Sequence, residues 1–344
     1  MSPDSVVEYR PYLSYQATRD FEVSNAGFGT IGYAAVTPDR TINARVPNNV
    51  LKITPTGTTS TLLPTPIEVQ YLVDPDTGAF GYYGNKTFQR YRPDGSLLAS
   101  YPTTRMSHAY FVPATEKTAI LLSDDAHEPE WIGLRVVGPG VAFDRTTPGL
   151  RDFAATSTRL VYTTLTTLTA LDHAGTQVFA VPLALRQFAV SSAGTRLIGV
   201  RDERGTAKLV HVDLTTGSVT NGPSLPSAVY ALGVAAGGRY SFAATRTGLS
   251  VFDGTTLARQ ITLPFTDFAS ADVNDNGEVV AGGATANNTV LSLSGSFGTQ
   301  TFTSSSGASD KIAFRPYVRF EKGKADFIAV RKEGLSRYTV TRSF

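Results

Sequence analysis

The sequence predicts an all-β protein, a closed β-propeller of four-stranded antiparallel blades, and three observations predict it. Short apolar and β-branched runs are punctuated throughout by Gly, Asp, Asn and Ser, and long helix-period stretches are scarce. The pattern recurs at spacings of about 35 to 46 residues, the period of propeller blades. A four-stranded meander cannot bury both of its faces alone, so each unit requires neighbours of its own kind. The count is eight blades, with seven as the alternative if two weak repeats merge.

The fifth repeat, Arg186–Pro226, is the clearest. Its apolar runs are Phe188-Ala189-Val190, Leu197-Ile198-Gly199-Val200, Leu209-Val210-His211-Val212 and Ser218-Val219-Thr220. Turn signals separate them at Ser192-Ala193-Gly194, Asp202-Glu203-Arg204-Gly205 and Thr215-Thr216-Gly217.

Sliding this frame along the chain places the others. The first repeat spans Phe21–Pro66, with a turn at Pro55-Thr56-Gly57. The second, Ile67–Arg105, turns at Asp74-Pro75-Asp76-Thr77-Gly78 and Arg92-Pro93-Asp94-Gly95. The third, Met106–Gly149, carries the longest insertion between strands, Ser123–Glu130. The fourth, Leu150–Leu185, is compact and turns at Asp172-His173-Ala174-Gly175. The sixth, Ser227–Phe265, turns at Ala236-Gly237-Gly238 and Asp253-Gly254, and the seventh, Thr266–Ser309, at Asn274-Asp275-Asn276-Gly277. The last stretch, Asp310–Phe344, holds only three strands. The N-terminal segment Ser5–Tyr15 is the expected donor of the fourth, which would close the ring into a single domain over residues 1–344 and remove its open edge.

The frame of Val190-Ser191-Ser192-Ala193-Gly194-Thr195-Arg196-Leu197 followed by Asp213-Leu214-Thr215-Thr216-Gly217 resembles the YVTN/WD40-like β-propeller superfamily. The resemblance covers nearly the whole chain and lies in hairpin motifs rather than in chemistry. The Gly-His and Trp-Asp dipeptides of WD40 blades are missing, and one tryptophan, Trp131, is too few for tryptophan-docking repeats. What the resemblance implies is a ring with a central channel that serves mostly as a binding platform, with a few lactonases, lyases and peptidase gates among its members.

Composition narrows the function. A formal net charge of +2, with no Lys/Arg block, favours neither nucleic acid nor an acidic membrane as an obligatory partner. The absence of cysteine removes disulfides, thiolate metal sites and thiol nucleophiles. No apolar run approaches the roughly 18 residues of a membrane span. The N-terminal MSPDSVVEYRPY shows no basic region followed by an apolar one, so no signal peptide is visible. A soluble protein is expected. The Cys-free, Thr/Ser-rich sequence suits a periplasmic or cell-surface location, with the cytoplasm as the alternative.

The candidate site is the insertion of the third repeat. Asp124, Asp125, His127, Glu128 and Glu130, with Trp131 beside them, put four carboxylates and an imidazole within seven residues. Oxygen donors of this kind suit calcium or manganese, with Asp124, Asp125 and Glu128 as the ligands, although no cofactor is required by the sequence. The bland reading is a solvated acidic loop with Trp131 starting the next strand. Arg201, Arg204 and Arg246 fall in equivalent loops and complete a mixed-charge face suited to a protein partner. Asp272-Val273-Asn274-Asp275-Asn276-Gly277 has the form of half a calcium loop, but Gly283 stands where the bidentate carboxylate belongs, and a hairpin turn is expected. The four histidines are scattered, and no G-x-S-x-G elbow occurs.

These observations point to a non-catalytic scaffold for protein–protein interaction, catalytic residues none, placed in the bacterial cell envelope. Two other readings stay open: a metal-dependent lactonase- or lyase-like enzyme with its site in the channel, and a glycan-binding surface protein using its tyrosines as platforms.

Overall fold

A computed structural model describes residues 14–24, 33–47, 49–64, 70–74, 77–84, 86–103, 108–113, 115–123, 131–140, 142–203, 206–225, 228–245, 248–265, 267–285, 288–296, 298–305, 317–321, 323–331 and 334–343. Its strands form eight four-stranded antiparallel sheets, the blades of an eight-bladed β-propeller.

The N-terminal strand β1 (Ser14–Ser24) stands apart from the sequential pattern. Blade 1 runs from the inside outward as β2 (Tyr33–Val36), β3 (Ile42–Val46), β4 (Asn49–Ile53) and β5 (Thr59–Pro64). Blade 2 is β6 (Gln70–Val73), β7 (Phe80–Gly84), β8 (Thr87–Tyr91) and β9 (Leu97–Pro102). Blade 3 is β10 (His108–Phe111), β11 (Thr118–Ser123), β12 (Trp131–Val137) and β13 (Phe143–Leu150). Blade 4 is β14 (Asp152–Ala155), β15 (Leu160–Thr163), β16 (Leu168–Leu171) and β17 (Gln177–Val181). Blade 5, the clearest repeat, is β18 (Gln187–Val190), β19 (Arg196–Glu203), β20 (Thr206–Asp213) and β21 (Val219–Ser224). Blade 6 is β22 (Val229–Val234), β23 (Tyr240–Thr245), β24 (Leu249–Asp253) and β25 (Thr256–Ile261). Blade 7 is β26 (Asp267–Val273), β27 (Val279–Ala284), β28 (Asn288–Gly295) and β29 (Gly298–Ser305). Blade 8 is β30 (Tyr317–Phe320), β31 (Phe327–Arg331) and β32 (Gly334–Ser343), completed on the outside by β1.

An N-terminal strand therefore closes the last blade, and it includes Ser14 and Tyr15 of the segment the sequence suggested. β1 pairs with β32 from Ser14 opposite Ser343 to Ser24 opposite Gly334, with a bulge between Arg19 and Phe21. Of the expected Ser5–Tyr15, residues 5–13 lie outside the described residues. Phe21, taken as the start of the first repeat, belongs to this closing strand, and the described part of blade 1 starts with Tyr33. The reason is side-chain fit. Tyr15 and Val23 are buried in β1 and pack into clusters of blade 8, while Glu22 and Asp20 reach its arginines.

The core sits between blades rather than within them. Ala35, Val50, Phe80 and Tyr91 fill the blade 1–2 interface; Leu197, Val210 and Val212 meet Val161 and Leu168 between blades 4 and 5. Because both faces of a blade are covered, its middle strands are apolar on consecutive residues: β15, β16 and β31 are buried throughout. That is why the sequence shows short continuous apolar runs instead of strict alternation.

The outer turns lock neighbouring blades together. In the Asp213–Gly217 turn, the Asp213 carboxylate accepts the N–H groups of Thr215 and Thr216. Gly217 has φ +77°, and a Cβ there would stand 2.9 Å from Cγ of Phe179 on the preceding blade. The glycine of this motif is thus required both by the turn and by the ring seated on it.

Blades 1 and 8 are clasped by charge. Glu321 accepts a 2.6 Å hydrogen bond from Arg337 Nε, and both side chains are almost fully buried. Arg40, held at φ 65° where blades 5, 6 and 7 have glycine, pairs with Glu321 at 3.4 Å and Asp326 at 3.1 Å. In blade 7, Glu278 receives two 2.7 Å bonds from Arg342 of β32.

Candidate functional site

Strand direction divides the loops between two faces. Every inner strand starts on one face, where the hairpins between second and third strands also lie; the turns after the inner strands lie on the other. Asp124, Asp125, His127, Glu128 and Glu130 lie outside the described residues, as do Arg204 and Arg246.

Trp131 opens β12, half-buried against the blade 3–4 cluster, its ring edge-on to His108 at 4.9 Å. Burial holds the His108 imidazole below its ordinary pKa. Arg201 pairs with Glu203 at 3.4 Å, and Lys208 reaches the same carboxylate at 3.0 Å, so this hairpin carries both signs of charge. Ile132, Leu165 and Tyr230 are exposed on this face, Tyr230 by 58% at a bulge of the inner strand β22. Among the described residues the other exposed large apolar side chains, Leu97, Val178, Val219 and Leu257, all lie on outermost strands.

The second face opens on a cavity of about 450 Å³ in the channel, lined from all eight blades. Blades 3 and 4 contribute Tyr110, Phe111, Pro113, Phe153, Ala154 and Ala155; blades 7 and 8 contribute Asp272, Asn274, Asp275, Arg319, Phe320 and Glu321. Tyr110 and Phe153 pack ring to ring at 5.0 Å, and Asp74 enters from blade 2.

The ionisable groups here are tied into the ring. Asp272 accepts the N–H of Phe320 on the next blade and of Val273, each at 2.9 Å. Burial pushes its carboxyl above the ordinary range, opposed by Arg319 and by those two N–H groups. Ser270 does the same for Val318, at 3.0 Å. Such bonds satisfy the free edge of the innermost strand, which has no neighbour across the channel. Asp74 accepts from Thr77 at 2.7 Å and stands 4.0 Å from the buried Arg90, which stacks on Phe111. Burial lowers the Arg90 pKa despite Asp74.

The Asp272–Gly277 segment is the tight hairpin turn expected. Asn274 Oδ1 accepts the N–H groups of Asn276 and Glu278, Asn274 Nδ2 donates to Glu278, and Asp275 accepts the Gly237 N–H at 2.7 Å. Among the described residues no group of three or more His, Asp or Glu side chains is placed to hold a metal ion.

Sequence reasoning named Asp272 and Asp275 only as turn residues and passed over Arg319, Tyr110 and Phe153. One signal was present: Asp272 interrupts an otherwise small and apolar inner strand, Phe268-Ala269-Ser270-Ala271-Asp272-Val273.

No family model matches the sequence, and no curated protein matches it. Among solved structures, Hsv2 of Kluyveromyces lactis superposes with a TM-score of 0.57 at 9% identity, over 79% of this chain and 97% of that one. Apo AztD of Citrobacter koseri gives 0.58 at 14% identity, over 85% and 95%. Hydrazine synthase of Kuenenia stuttgartiensis gives 0.51 at 12%, over 81% and 97%. At these identities the likeness is one of fold. The chain is an eight-bladed β-propeller.

Proposed function

We propose that this propeller is a non-catalytic scaffold that binds a protein partner on the face bearing the hairpins between second and third strands. The observation that carries the reading is the exposure of Ile132, Leu165 and Tyr230 on that face, beside the mixed charges of Arg201, Glu203 and Lys208. Exposed aromatic and aliphatic anchors inside a polar rim are the anatomy of a protein interface. Asp272 and Asp275 accept backbone N–H groups and Glu321 is paired with the buried Arg337, which supports binding over turnover. A location in the cell envelope belongs to the same proposal and is supported by the Cys-free composition; fractionation of cells expressing the native gene tests it.

The face is tested by photo-crosslinking. A crosslinkable residue is placed at Leu165 or Tyr230, and as control at Thr56, in a turn on the opposite face. A single defined protein joined from the first two positions, and lost on Arg201→Glu, is the expected result. Crosslinking from Thr56 alone, or equally from all three, would overturn the assignment.

A further inference from the structure

We propose that the channel cavity on the opposite face binds a small uncharged molecule with an apolar, ring-bearing body and one hydroxyl or carbonyl group. The inference is independent of the protein-binding face, because the cavity opens at the other end of the channel.

Size comes first. A volume of about 450 Å³ lies within the range of small-molecule sites, and inner strands of all eight blades contribute to its wall, so the site is preformed. Apolar side chains reach that wall all the way round. Val36, Leu72, Val190, Val234 and Val273 come from blades 1, 2, 5, 6 and 7. Phe111, Phe153 and Phe320 come from blades 3, 4 and 8. Whichever way a molecule lies in the channel, its body meets hydrocarbon, and removing that surface from water favours its entry.

The absence of charge on the ligand follows from how the charges of the wall are spent. Glu321, 3% exposed, is held by Arg337 at 2.6 Å, with Arg40 at 3.4 Å and Lys324 at 3.8 Å. Asp74, 1% exposed, accepts from Thr77 and stands 4.0 Å from Arg90. Asp272 accepts two backbone N–H groups and faces the opposite charge of Arg319. Asp275 accepts the Gly237 N–H. A charged head group would give up its hydration here and find every opposite charge already engaged, which is costly. The polar groups left over are neutral. Tyr110 and Ser192 supply the two hydroxyls of the wall, and neither hydroxyl makes a hydrogen bond among the described residues. A hydroxyl both donates and accepts, so it suits a ligand hydroxyl or carbonyl.

The test uses three probes sharing one phenyl body: 2-phenylethanol, phenethylamine and 3-phenylpropionate. At about pH 7.5 they are a neutral molecule, a cation and an anion. Binding is measured by titration calorimetry, with the thermal midpoint as a second readout. 2-Phenylethanol is expected to bind the unaltered protein about fivefold or more tighter than either ion. Ala236→Trp, which fills the cavity from blade 6, is expected to weaken it about tenfold or more. Should that variant fail to fold, Val190→Phe fills the cavity from blade 5. Tyr110→Phe with Ser192→Ala removes both hydroxyls and should weaken it about threefold or more, and Tyr230→Ser should leave it unchanged. Equal or tighter binding of either ion would overturn the proposal, as would no binding of any probe at millimolar concentration. Binding that survives the filling variant would place the alcohol elsewhere and overturn it equally.

Discussion

His211 should make this propeller lose stability as the pH falls, and removing it should abolish that part of the loss. The side chain lies in β20, 3% exposed, with no hydrogen-bond partner for either ring nitrogen. Its ring meets Phe252 of blade 6 edge-on at 5.6 Å. Burial, and to a lesser degree Arg196, lowers its pKa from 6.5 to about 4. Above pH 6.5 the imidazole is neutral in folded and unfolded chains, and its full contribution is present. Between 6.5 and about 4 only the unfolded chain takes up the proton, so stability falls with pH through that window and levels off below it. The gap between 6.5 and about 4, at roughly 1.4 kcal/mol per pH unit, bounds the effect, and about 3 kcal/mol is lost by pH 4. His211→Leu keeps the volume and removes the titration, so it should be near neutral, within about 1.5 kcal/mol, around pH 7.5. At about pH 4 it should be stabilised relative to the parent by about 3 kcal/mol more than at neutral pH. Urea denaturation of both proteins across this range gives the difference directly. A parent–variant difference independent of pH would refute the reasoning, since it would mean the folded protein protonates His211 as readily as the unfolded chain.

Three further outcomes are expected. Glu321→Leu should destabilise by about 3–5 kcal/mol in denaturant titration by stranding the buried Arg337, and Arg337→Met in the same chain should recover most of it; simple additivity of the two losses would count against the clasp. Gly217→Ala should cost about 1–2 kcal/mol or more, because it strains a φ of +77° and strikes Phe179, whereas Gly254→Ala, whose Cβ meets only the end of Arg196, should cost less in the same thermal melts. Deleting the chain through Ser24 should lower the thermal midpoint and broaden the transition, since β32 is left as an open edge; an unchanged melt would show that the ring does not depend on this closure.

Local signals carried most of the architecture. The strands of blade 5 fall on the apolar runs read from Phe188–Val190, Leu197–Val200 and Leu209–Val212, and the turns fall on their Gly, Asp and Ser residues. Those features are determined within a few residues of chain: a blade covered on both faces needs consecutive apolar residues, and the turns need left-handed glycine and a carboxylate to cap their N–H groups. The eight-blade count followed from repeating that unit. His211 was legible as part of an apolar strand because Leu209, Val210 and Val212 flank it.

Closure and the cavity could be decided only in three dimensions. β1 pairs with β32 across more than 300 residues, and its register is set by the partners of Tyr15, Asp20, Glu22 and Val23 in blade 8, none of which its own sequence reveals. The acidic insertion drew attention because its charges are contiguous. The channel groups are not: Asp74, Tyr110, Phe153, Asp272 and Arg319 each come from a different blade and meet only because eight inner strands converge on one axis. A side chain facing that axis answers to residues several repeats away, so the sequence determined the blades and their ring, and only the tertiary structure decided what the ring encloses.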